Sequence, residues 1–137
     1  MVKSTIEYAG DLHCIATHGP SGMRIDTDAP LDNQGRGESF SPTDLVATAL
    51  GSCMATIMGI AARRLDLDLV GMKIEVSKEM TSSAPRRIAR LSTEIWFPVP
   101  ASADPSKILE KAALTCPVQY TIHPDIEKPV VFHYAAE

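Results

Sequence analysis

Three cysteines, Cys14, Cys53 and Cys116, carry the most reactive side chains in this chain of 137 residues. An odd and small number of thiols does not make a disulfide scaffold, so the chemistry open to them is metal binding, nucleophilic attack or redox cycling. Their settings differ. Cys14, among Leu12, His13 and Ile15, reads as strand packing. Cys53 lies midway along a run that is apolar or small from Leu45 to Ala62, and a cysteine there is by itself a small buried hydrophobe. Cys116 precedes Pro117, which can interrupt one helix and occupy the first turn of another. That expects the Cys116 thiol at a helix N-terminus, where backbone amides favour a thiolate. No CxxC or HxxxH pair is present, so a zinc site is not expected. GxGxxG, phosphate-loop and GxSxG signatures are missing too, which removes nucleotide cofactors and the commonest serine hydrolases. His13, His18, His123 and His133 are scattered, and none is selected by spacing as a partner for a thiol.

The residues that must position Cys53 form a single long helix starting near Ser41. Ser41 is a cap, Pro42 suits the first helical position and Asp44 sits where a capping-box carboxylate reaches back. Arg63 and Arg64 close the run at the negative end of the helix dipole. Between those ends the helix has no polar face, so it is expected in the core or shared between subunits. The run falls short of a membrane span and is diluted by Thr48, Gly51, Ser52, Thr56 and Gly59, so a buried soluble helix is expected instead. Before it come three short strands, over 2–8, 12–18 and 23–27, and a long polar loop from Asp28 to Phe40 of the kind that tends to be functional. After it, a strand over 70–80, strictly alternating from Met72 to Val76, and a return strand over 87–97 give a hairpin, and the return strand is expected to stop at Pro98 and Pro100. Asp104-Pro105 repeats the cap-then-proline signal before a helix running through Thr115, and 130–134 closes the chain as a strand. Strands that precede, separate and follow two helices predict one α+β domain over 1–137.

Net charge is −4 and no run of Lys or Arg exceeds two residues, so a nucleic-acid partner is not expected. The first residues lack the apolar stretch of a signal peptide, and the expected setting is cytoplasmic.

Taken together, Ser41-Pro42-Thr43-Asp44-Leu45-Val46-Ala47, Gly51-Ser52-Cys53-Met54 and, much later, Thr115-Cys116-Pro117-Val118 resemble the osmotically inducible protein C (OsmC) and organic hydroperoxide resistance family. The likeness extends over essentially the whole chain. It implies strongly curved antiparallel sheets packed around two long central helices in an intertwined homodimer. It also implies a thiol peroxidase in oxidative-stress defence, with Cys53 peroxidatic and Cys116 resolving. The substrate would be a small organic hydroperoxide and the electron donor a dithiol, with no metal or organic cofactor and no membrane partner.

In the best-studied branch a glutamate stands ten positions before the peroxidatic cysteine and orients an arginine near the first hairpin. Here that position is Thr43, with Asp44 beside it, and no arginine lies around Gly10-Asp11-Leu12. Arg24 or Arg36, with Glu38, would have to activate Cys53 from another direction, and the chain is closer to a divergent OsmC-like branch. The alternative on the same scaffold is a non-catalytic dimer that senses redox state or holds a small apolar ligand over Cys53.

Overall fold

The structure is a computed structural model describing residues 1–137, and the chain divides into two compact units, Met1–Val46 and Ala47–Glu137. In the first, strands β1 (Ser4–Gly10), β2 (His13–His18) and β3 (Arg24–Asp28) form an antiparallel meander. Asp11 and Leu12, at φ 52° and 61°, make the left-handed turn whose twist matches that of the flanking strands. Because side chains alternate, one face carries Ile6, Tyr8, Cys14, Ala16 and Ile25. The other carries Glu7, His13, Thr17, Arg24, Asp26 and Asp28 around Ile15. The apolar face is open: Ile6 and Tyr8 are each 63% exposed and Ile25 50%.

The expected long loop follows β3, with one 3-10 turn at Leu31–Asn33. It is fastened at both ends. The Asp28 N–H donates to the Phe40 carbonyl (3.1 Å), and the Gly37 N–H donates to the Ala29 carbonyl (3.2 Å). Gly35 is needed for the crossing, since a Cβ there would lie 1.7 Å from the Ala29 carbonyl oxygen.

Helix α1 (Pro42–Arg64) starts as its sequence requires. The Asp44 N–H donates to Ser41 Oγ (3.1 Å), and Asp44 Oδ2 accepts the Ser41 N–H (2.9 Å). Two expectations about α1 need correction. At 23 residues it is long and apolar enough by composition to cross a membrane, so length does not exclude that. What speaks for an interior helix is its packing: Ala47, Leu50, Gly51, Met54, Met58 and Ala62 form a buried stripe. Nor is the helix buried all round. Thr48, Ser52, Thr56 and Ile60 remain exposed, because the sheet of one chain covers one face of a cylinder.

In the second unit β4 (Lys73–Met80), β5 (Ile88–Pro100) and β6 (Val130–Ala135) form a sheet in that order. β4 and β5 are antiparallel, as the hairpin alternation requires. β6 lies parallel to β5, so this sheet is mixed rather than antiparallel throughout. β5 also runs past Pro98 instead of stopping there. Its pairing with β4 ends at Trp96, so beyond that point β5 has a free edge where a proline without an N–H costs no ladder bond. Leu91, Thr93, Ile95 and Phe97 of β5 are buried. α1 approaches β4 at Gly51, where an added Cβ would meet Val76 Cγ2 at 3.0 Å and Ile74 Cγ2 at 3.5 Å.

The last helices are short. α2 (Ile108–Leu114) begins three residues later than the Asp104-Pro105 signal suggests, because Lys107 takes a left-handed conformation (φ 55°) ahead of it. Asp104 still caps it, accepting the N–H groups of Ile108 (3.0 Å) and Leu109 (2.8 Å). α3 (Pro117–Thr121) follows, with Pro117 in its first turn and Cys116 at its N-cap.

Candidate functional site

Cys53 and Cys116 meet in the second unit. Cys53 is half-buried, facing outward beside the buried stripe of α1, and Cys116 is fully buried between α2 and α3. The Cys53 side chain and the backbone amides of Gln119 and Val118 lie close enough to Cys116 to act on its ionisation. Two neighbouring thiols, one half-buried and one enclosed, are candidates for a dithiol–disulfide pair.

The electrostatics of Cys116 differ from the expectation. A thiol at a helix N-terminus was expected to ionise readily, yet its pKa is raised. Burial is the largest cause, and the contact with Cys53 adds to it. The amides of Gln119 and Val118 oppose the shift but do not overcome it, and a helix of five residues supplies little dipole. Cys116 is therefore held as a thiol beside Cys53. The two amides had no sequence signal beyond Pro117 itself.

The remaining candidates lie in the first unit. The Asp44 carboxylate holds the Ser41 N–H as a cap. Arg36 forms an exposed ion pair with Asp11 (3.5 Å). Glu38 gives its backbone N–H to Asp28 Oδ2 (3.1 Å). Arg24 is exposed on the polar face of the first sheet, opposite Thr17. Cys14 lies half-buried on the opposite face, paired across strands with Tyr8 and Thr27. No three His, Cys, Asp or Glu side chains converge as a metal site requires.

This arrangement can be set beside known proteins. The family model for OsmC-like protein matches residues 35–128, which include both contacting thiols. The chain belongs to the OsmC-like family. A structure from Psychrobacter arcticus 273-4, assigned to osmotic stress induction and detoxification response, is 47% identical to this OsmC-like chain. It superposes with a TM-score of 0.89, covering 97% of this chain and 96% of that one. Two more distant structures share the fold. The organic hydroperoxide resistance protein OsmC of Legionella pneumophila is 11% identical (TM-score 0.77, 97% and 96% covered). The organic hydroperoxide resistance protein OhrB of Bacillus subtilis is 14% identical (TM-score 0.71, 96% and 97% covered). No curated protein gives a significant match. The α+β class expected from the order of strands and helices, and the OsmC-like fold that the resemblance implies, are thus those of the structure.

Proposed function

We propose that this OsmC-like protein is a thiol-dependent organic hydroperoxide reductase with Cys53 peroxidatic and Cys116 resolving. The observation that carries the reading is the contact between a half-buried Cys53 and a buried Cys116 kept protonated. The more reachable sulfur attacks first. Cys53 thiolate takes the distal oxygen of ROOH, the O–O bond breaks, and the departing alkoxide leaves as ROH after gaining a proton. The Cys53 sulfenic acid then condenses with the Cys116 thiol, losing water and forming a disulfide. A dithiol reductant returns both cysteines to thiols by exchange. The balance is ROOH plus dithiol giving ROH, water and the oxidised dithiol, with no metal or organic cofactor. A cytoplasmic setting would supply the reductant.

A homodimer belongs to the same reading. The open apolar faces of the first sheet and of α1 give a second copy something to cover. Ile6→Glu, on the first of these, should then shift sedimentation toward the monomer. Activation of Cys53 would fall to Arg24 or Arg36, with Glu38 or Asp44 as orienting carboxylate. A second reading, a redox-sensing or apolar-ligand-binding dimer, is favoured by the engagement of Asp44 in its cap and of Arg36 with Asp11.

One experiment separates the two. Wild-type protein treated with an alkyl hydroperoxide should form a Cys53–Cys116 disulfide by mass spectrometry and consume peroxide repeatedly with dithiothreitol. Cys116→Ser should accumulate a Cys53 sulfenate, and Cys53→Ser should consume nothing. A disulfide without turnover favours the sensor, and failure to form either oxidised species defeats the peroxidase.

A further inference from the structure

The polar face of the first sheet holds a cluster that the thiol chemistry does not use. His13 on β2 stands opposite Asp28 on β3, with Asp26 next along the same face. Its Nδ1 lies 2.6 Å from Asp28 Oδ1, and its Nε2 lies 3.3 Å from Asp26 Oδ2. The Asp28 side chain is 5% exposed, and its second oxygen accepts the Glu38 N–H from the far side of the loop. Ser39 Oγ donates to the Asp26 carbonyl (2.8 Å) nearby. The buried carboxylate thus joins two chain segments, with an imidazole on one oxygen and a loop amide on the other.

We propose that His13 and Asp28 form a charge-assisted latch that fastens the Asp28–Phe40 loop to the first sheet, and that the latch loosens when His13 loses its proton. The latch lies within the first unit and does not depend on the peroxidase reading. A carboxylate with an imidazolium on one oxygen is held in place for the amide on the other by a bond in which both partners are ionised. After deprotonation a neutral imidazole can still donate to Asp28, so the latch weakens without opening fully.

The surrounding charges favour the imidazolium. Asp28 raises the His13 pKa above its ordinary 6.5, partial desolvation opposes this, and Asp26 adds to the rise. Glu7 on β1 shares the face, and Arg24 stands at the far end of β3. Asp11 in the adjoining turn is paired with Arg36 of the loop, and Glu38 follows two residues on. The sign is fixed by linkage. A group whose pKa is raised on folding contributes fully below its unfolded value, and the contribution fades as pH rises through the folded one. The loop is therefore tightest below pH 6.5 and loosens as pH rises through the raised pKa of His13.

Hydrogen exchange of the Glu38 amide, followed by NMR from pH 6 to 9 and divided by its intrinsic rate, tests this alongside the His13 imidazole titration. Exchange should accelerate roughly threefold to fivefold in step with His13 deprotonation. His13→Gln should exchange fast with no such step. Asp28→Asn should return the His13 titration toward 6.5. Flat protection through the His13 titration, or equal protection in wild type and His13→Gln, overturns the latch.

Discussion

Asp104 is a single side chain on which the placement of Cys116 depends. Its carboxylate is 3% exposed and accepts two amides of the first turn of α2, from Ile108 and Leu109. In Asp104→Ala the two amides fare differently. Ile108 is 39% exposed, so water can reach its N–H, and the loss there is about 0.5–1 kcal/mol, in the range of an ordinary cap. Leu109 is fully buried, and its N–H would be left unpaired at about 1–3 kcal/mol. The sum is about 1.5–4 kcal/mol, a large part of the roughly 5–15 kcal/mol typical of a domain. Urea unfolding read by circular dichroism should show the midpoint falling by about 1–2 M. Asp104→Asn, which keeps one acceptor oxygen for Leu109, should fall by about half as much. The reasoning fails if Asp104→Ala unfolds within about 0.3 M of wild type, because the Leu109 amide would then have another partner.

Two further outcomes follow from packing and from burial. Gly51→Val should destabilise by about 1–3 kcal/mol in the same urea assay, because its branched carbons would extend a contact already at 3.0 Å from Val76. Gly51→Ala should stay near neutral, since the helix-propensity gain of up to about 1 kcal/mol offsets the crowding at Cβ; a stable Gly51→Val would mean that β4 yields freely. Tyr134 should titrate late by ultraviolet absorbance. Its pKa is raised to about 12, first by burial and then by the nearby Glu110 and Asp104 carboxylates. Its contribution to stability is intact below pH 10 and lost between pH 10 and 12, and Tyr134→Phe should remove both the late absorbance phase and that loss.

Local signals in the sequence carried far, and non-local ones did not. Ser41, Pro42 and Asp44 act on one another within one helical turn, so the start of α1 was readable and is where the chain places it. Pro98 was misread because a proline ends a strand only where a neighbour needs its N–H, and whether β4 reaches that far is a matter of register. The delay of α2 came from the left-handed Lys107, a residue type with no preference for that conformation. Both thiols stood out through their motifs, but the sign of the Cys116 shift depends on how much chain encloses it, which pairing and packing decide. His13 looked unremarkable because Asp28 reaches it across a hairpin rather than along the chain. The pairing of Arg36 with Asp11 and the bond from the Glu38 N–H to Asp28 join residues distant in the chain, and charge alone does not make them legible.

The parallel pairing of β6 with β5 sets an order of events during synthesis. The N-terminal meander joins neighbouring strands and can close while the ribosome is still working. β5 must wait for its partner until Val130 and the residues after it have emerged to lie beside Thr93. Until then one edge of a long apolar strand stays open to other nascent chains, so slow or interrupted translation of the final segment is when this protein is most exposed to aggregation.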